Sequence, residues 1–215
     1  ESMSGAPYLL DRARSGYRLG DGRLADAVLR DGLVDTFSND HMGLATDRMA
    51  REMGITRAEQ DAFAAESHRR YFAAREAGRF AAERVPMKEL DHDEHARSDA
   101  SVEKLATLKP AFDPQGTVTP GNASGINDGA AMLVVTDDAT ARAAGLRPLA
   151  ALEAWAAVGC EPPRMGLGPV HAIRALCERT GASLADADVI EINEAFAAQV
   201  LSCLRELKLE GDARV

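Results

Sequence analysis

Five residues near the C-terminal end, Asp188-Val189-Ile190-Glu191-Ile192, are patterned as a buried strand, and Asn193-Glu194-Ala195-Phe196-Ala197-Ala198-Gln199 follows with no spacer and opens an apolar, Ala-rich helix. A strand that hands over directly to a helix belongs to a sheet covered by helices. In open α/β sheets ligands bind at the carboxyl ends of strands, so an uncharged amide, Asn193, and a carboxylate, Glu194, stand where chemistry is done. Asn is also among the preferred helix caps, and taken alone Asn193 is equally compatible with a structural role.

Upstream, the alternation of strands and helices extends back to about residue 117. Ala130 to Val135 is apolar and short enough for a buried strand, Asp137 to Ala144 is a helix ended by Gly145, and Pro148 to Ala157 has the pattern of another strand. Pro169, a favourable first helical residue, begins a helix through Ile173 and Leu176 that stops before Gly181. The first third is helical in pattern. Leu24, Ala27, Val28 and Val34 recur at helical spacing over residues 21–35, and Met42 to Met53 continues in that style to a stop at Gly54. Thr56 with Glu59 three residues later has the form of a capping box, and launches a long helix through Phe63, Ser67 and Tyr71 to about Gly78. Arg69, Arg70, Arg75 and Arg79 are expected on its solvated side. From Pro86 to Pro110 the charge-rich, weakly periodic sequence predicts a loop with a short helix near Val102 to Leu108, suited to covering a ligand. The fold class is α/β, with a helix-rich insertion ahead of a parallel or mixed sheet.

Composition removes several function classes. The 215 residues are 46% hydrophobic and 27% charged, as in an ordinary globular protein. A formal net charge of -9 repels phosphate backbones and anionic lipid, which argues against nucleic acid or a membrane surface as the main partner. No apolar run approaches the ~18 residues that span a bilayer. Cys160, Cys177 and Cys203 are odd in number, widely spaced and without a C-x-x-C pair, which fits reduced thiols in a cytoplasmic protein. Glu1-Ser2-Met3-Ser4-Gly5 carries no initiator Met and no signal-peptide pattern, and both ends are expected to be cuts inside a longer chain. Asp91-His92-Asp93-Glu94-His95 offers metal-ligand types, but adjacent ligands on an irregular polar loop rarely converge, and no metal is expected. Gly166-Leu167-Gly168 lacks the third spaced glycine of a dinucleotide fingerprint.

The second chemically informative segment is Gly121-Asn122-Ala123-Ser124-Gly125-Ile126-Asn127-Asp128-Gly129. Its three glycines let backbone approach a ligand closely, and its polar side chains supply donors and acceptors. A plain polar turn has the same composition. The order of its residues is what decides: this string, continued through Ala130-Ala131, together with Asn193-Glu194-Ala195-Phe196-Ala197, resembles the thiolases. Glu1-Ser2-Met3-Ser4, His41-Met42-Gly43, Asp93-Glu94-His95 with Arg97, Lys109-Pro110-Ala111-Phe112 and Met165-Gly166-Leu167-Gly168-Pro169 match in the same order, so the resemblance covers the whole chain.

The resemblance implies a partial thiolase-like αβαβα layered fold: residues 1–35 ending the N-terminal half, a helical CoA-covering loop domain over 36–116, a return to the first half over 117–150, and the start of the C-terminal half over 151–215. It also implies an acyl-CoA acyltransferase that makes or cleaves 3-ketoacyl-CoA by ping-pong transfer, with coenzyme A and acyl-CoA as substrates, no resident cofactor, and homodimeric or homotetrameric assembly. Asn193 is then the catalytic residue, holding a water in an oxyanion hole, while Glu194 orders the turn. Ser124 and Gly125 contact the pantetheine arm, bordered by His41 and Met42. Met165, Ala195 and Phe196 wall the acyl pocket, and Arg97 and Phe112 lie toward the nucleotide end. The family's nucleophilic cysteine, its Gly-His-Pro histidine and its Cys-x-Gly-Gly cysteine have no counterpart among these residues, so the chain by itself is expected to be inactive. Its own three cysteines are assigned to packing. The stretch from Pro86 to His95 is shorter than usual, Pro120 replaces a small residue, and His171 stands where proline is commoner. Two other classes are a non-catalytic CoA-binding or scaffolding protein on the same fold, and a ketoacyl synthase, against which the Asn193 and Ser124 motifs speak together.

Overall fold

A computed structural model describes all of residues 1–215. The ordered body is helical. β1 (Tyr8–Leu10) and β2 (Leu24–Asp26) form a two-stranded antiparallel ribbon with Leu9 opposite Ala25, and a π-helical turn covers Val28–Leu33. α1 (Met42–Glu52), α2 (Arg57–Glu76) and the short α3 (Val102–Ala106) make the insertion. α4 (Asp138–Ala143), a 3-10 turn (Pro162–Leu167), α5 (Gly168–Thr180), a second 3-10 turn (Leu184–Asp186) and α6 (Ala197–Leu207) complete the chain. No helix is long and apolar enough to cross a membrane.

The helix boundaries follow from local chemistry. Thr56 accepts from the Glu59 amide, and the Glu59 carboxylate returns a bond to the Thr56 amide at 2.6 Å, so the capping box starts α2 as expected. His41, Ser101 and Asp137 cap α1, α3 and α4 through their own side chains. Residues 21–35 are helical only over the π turn Val28–Leu33, and Leu24–Asp26 is a strand instead. Leu24 and Leu10 pair along a ribbon edge and both stay exposed, so the helical spacing of the apolar residues there reflects no buried face.

The core is threaded by α6. Cys203 packs with Met49, Leu167 and Val170; Val200 and Leu204 with Ile190 and Leu209; Ala198 with Ala50 and Ile55. Val200, Cys203 and Leu204 are i, i+3, i+4 positions of one face and Ala198 lies on the opposite side, so α6 is buried on more than one side and brings α1, α5 and the segment before α6 together. The Cys203 thiol donates to the Gly166 carbonyl at 3.2 Å, and burial pushes its pKa up, which is the behaviour of a packing residue. Cys160 and Cys177 are free and half-buried.

Three segments expected to be strands have no ladder. Over 130–136 and 147–159 no backbone group bonds to another, and over 188–192 only the Ile190 amide does, to the Arg214 carbonyl at 2.8 Å. Met132, Leu133, Val134 and Val135 are 86% to 92% exposed, apolar on both faces. Such a run has the composition of a strand covered on both sides by helices, but here it is unpaired and exposed.

Helices α1 and α2 instead hold the chain leading into the glycine segment by buried polar contacts. Asp47 Oδ1 accepts from the amides of Thr117 at 2.7 Å and Val118 at 2.9 Å. Gln60 donates to the Thr117 hydroxyl, and Asp61 accepts from Asn122 Nδ2 at 2.9 Å while paired with Arg57. Arg57 in turn donates to the Leu105 and Leu108 carbonyls. Removing a buried acceptor that serves two amides leaves both unsatisfied. Asp47→Ala is therefore expected to lower unfolding stability by about 3 kcal/mol, with Asp47→Asn costing less than half as much. Urea unfolding of the three chains checks this, and a loss within about 0.5 kcal/mol for the alanine variant would show that these bonds do not hold the segment.

Candidate functional site

The expected loop and the expected turn meet through two backbone hydrogen bonds. The Ser124 amide donates to the Ala195 carbonyl and the Ala197 amide to the Asn122 carbonyl, both at 2.9 Å, forming an isolated antiparallel bridge between Ala123 and Phe196. This bridge corrects the expected helix start. Residues 195 and 196 are drawn into extended pairing, α6 begins only at Ala197, and Phe196 rather than Asn193 occupies the cap position. Asn193 and Glu194 are left on a non-helical corner, so the capping explanation of Asn193 does not apply.

Asn193 is exposed at the rim of a cleft of about 820 Å³, bounded by Phe63, Ser67 and Arg70 of α2, by Ile192 and by Leu204 of α6. Its side-chain amide has no intramolecular hydrogen bond and is available to a ligand. Glu194 is held: Ser67 Oγ donates to its carboxylate at 2.6 Å. On the other side of Glu194 a smaller pocket of about 130 Å³ is lined by Ser67, His68, His95 and Ser124.

Close packing shapes the loop around Ser124. The His95 imidazole lies so near the Gly125 α-carbon that a Cβ there would overlap the ring, which is the physical demand for glycine. Ser124 is exposed, and its hydroxyl makes only a long 3.4 Å bond to the Gly125 carbonyl. The Arg97 amide donates to His68 Nδ1 at 3.3 Å, and its exposed guanidinium has no ion-pair partner.

A second group of expected residues forms an aromatic row. His41 stacks on Phe112 with ring centroids 4.5 Å apart, and Phe112 meets Phe196 edge-on at 6.4 Å. Phe112 covers Gly43 so closely that any side chain there would collide with the ring. Phe112 thus sits beside the residues expected at the arm and the acyl wall. Met42 heads α1, half-buried. Met165 lies on the 3-10 turn Pro162–Leu167, whose Gly166 packs on Met49 and Gln199, and lines neither cavity. His171 is exposed on α5 beside a separate cleft with Cys160 and Glu206, away from the Asn193 corner.

Sequence reasoning did not assign Ser67, His68 or His95 to the site. The available signal was the Ser67-His68 pair one turn beyond Phe63-Ala64 on α2, a polar interruption along the side of the helix that faces the chain.

His41 is a structural as well as a site residue. Its Nδ1 accepts from the Gly43 amide at 3.0 Å, and burial holds its pKa below the ordinary 6.5. Burial, with His95 and Arg97 nearby, depresses His68 in the same direction. A histidine whose folded pKa is lowered binds its proton more readily in the unfolded chain, so its contribution to stability is complete above the ordinary value and is lost as pH falls below it. Stability is expected to drop from about pH 7.5 to about pH 5.5, with a shallower drop in His41→Asn, which keeps a capping acceptor without a titrating group. Urea midpoints at both pH values check this; equal slopes in the two proteins would exclude His41 as a source.

Residues 1–139 match the family model described as "Thiolase, N-terminal domain" and residues 146–213 that described as "Thiolase, C-terminal domain". An acetyl-CoA acetyltransferase of Escherichia coli (strain K12) is 48% identical over 221 residues, which cover 99% of this chain and 56% of that protein. One from Pseudomonas aeruginosa is 47% identical, covering 96% and 55%. The crystal structure of the Bacillus anthracis acetyl-CoA acetyltransferase superimposes with a TM-score of 0.92 at 44% identity, over 97% of this chain and 55% of that one. The chain spans little more than half the length of these relatives.

Proposed function

This chain belongs to the thiolase family, and from that premise we propose that it forms the CoA-gripping portion of an acyl-CoA acyltransferase that makes or cleaves 3-ketoacyl-CoA by ping-pong acyl transfer. The names of its relatives favour acetyl-CoA as the acyl donor. The observation that carries the reading is the bridge between Ala123 and Phe196, which fixes a glycine-bearing loop against a corner that presents an unpartnered amide. Coenzyme A and its acyl thioesters are the substrates, with no resident cofactor. A cytoplasmic, homo-oligomeric enzyme of fatty acid metabolism completes the proposal.

In this reading the Ser124 loop takes the pantetheine arm, with Gly125 allowing close approach and His41 and Met42 beside it. Phe196 and Ala195 shape the acyl end, with Met165 outside both cavities; the free Arg97 guanidinium serves the nucleotide end, and Phe112 packs between His41 and Phe196 where the arm passes toward the acyl end. Asn193 does the electrostatic work. Negative charge develops on the thioester oxygen as a thiolate attacks, and an amide stays uncharged at every pH while both donating and accepting, so it can fix a water that donates to that oxygen. The attacking thiolate is not Cys203, whose thiol is buried, raised in pKa and bonded to Gly166.

The test is a chimera in which residues 1–215 replace the matching segment of the E. coli relative. It is expected to catalyse acetoacetyl-CoA thiolysis, and Asn193→Ala is expected to lower kcat about 100-fold with KM changed less than about threefold. A folded chimera whose Asn193→Ala variant retains kcat within about threefold would remove Asn193 from the chemistry. The unextended chain is expected to show no thiolysis.

A further inference from the structure

The bridge that joins the Ser124 loop to the Asn193 corner consists of two hydrogen bonds with no ladder on either side. Two bonds alone do not set a register, because a strand pair slips unless turns or packing outside it pin both partners. Both partners here are pinned by the same helix. Asp61 of α2 accepts from Asn122 Nδ2 at 2.9 Å on the loop side, and Ser67 of α2 donates to the Glu194 carboxylate at 2.6 Å on the corner side. They stand six positions apart on the helix, a rigid spacing of roughly 9 Å along the axis. The Asp61 contact is buried and reinforced by Arg57, whereas Ser67 is the only side chain that hydrogen-bonds Glu194.

We propose that Ser67 is a positioning residue: by holding the Glu194 carboxylate against α2 it fixes the Asn193 corner relative to the Ser124 loop, and so sets the geometry in which a CoA arm is gripped. This rests on the CoA-binding reading above and adds to it a residue that touches neither the thioester nor, by itself, the reacting amide. The side chains around the small pocket support it. Burial lowers the His68 pKa most; the ring, on α2 beside Ser67, is also faced by His95 and Arg97, which disfavour its protonation further, and by Glu194 and Asp99, which favour it. The position of the Glu194 carboxylate is therefore readable from the titration of His68.

The experiment uses the 215-residue chain and its Ser67→Ala, Ser67→Thr and Glu194→Gln variants, with circular dichroism to establish folding. Coenzyme A affinity by calorimetry and the His68 titration midpoint by NMR are the two readouts. Ser67→Ala is expected to weaken CoA binding about tenfold, as for one lost hydrogen bond to a charged group, and Ser67→Thr, which keeps the hydroxyl, to restore it to within about threefold. The His68 midpoint is expected to fall in Glu194→Gln and, because the carboxylate swings away, in Ser67→Ala as well. A midpoint that stays at the wild-type value in either variant overturns the proposal, as does threonine failing to rescue. Absence of CoA binding in the wild-type chain would instead sink the CoA reading, with the titration alone still deciding the role of Ser67.

Discussion

Two buried carboxylates, Asp47 on α1 and Asp61 on α2, hold the segment from Thr117 to Asn122, and the site exists because they do. A charge removed from water is costly unless the groups around it replace its hydration. Asp47 is answered by two backbone amides, and Asp61 by a guanidinium and a side-chain amide. Neither α1 nor α2 contributes a reacting group. Their contribution is to turn an otherwise polar, glycine-loosened turn into a fixed edge, on which residues 195–197 can dock and from which α6 then runs into the core.

Much of the helical body is legible in the sequence because helix ends are local events. The Thr56–Glu59 box, the stop at Gly54 and the proline-led start of α5 each need only a few neighbouring residues. The ribbon of Tyr8–Leu10 and Leu24–Asp26 was not legible. Its pairing spans a loop, and its apolar residues satisfy helical spacing without being buried. The apolar runs at 130–135 and 148–157 have strand composition, yet composition alone does not supply a pairing partner, and none lies next to them.

The site divides in the same way. That the Ser124 loop and the Asn193 corner belong together is legible in the order of their residues, and the structure joins them by the Ser124–Ala195 and Asn122–Ala197 bonds. How they are joined is not, because it depends on residues far apart in the chain. The late start of α6 follows from long-range backbone pairing, and the stacking of His41 on Phe112 and the tie from Ser67 to Glu194 are long-range contacts between side chains that look ordinary in isolation. Ser67 in particular reads as one more small residue on a long, largely polar helix.

The unpaired apolar stretches at 130–136 and 147–159 give the chain two tiers of resistance to opening. Amides with no acceptor in the fold exchange with solvent at close to the rate of an unstructured peptide, whereas those gripped by Asp47 or packed under α6 exchange only when the helical body comes apart. A protease admitted in trace amounts would nick the chain at those two stretches first and leave α1, α2 and the glycine loop on one side of the cuts, with α5 and α6 on the other. The halves would still be held by the Ala123–Phe196 bridge and the shared α6 core.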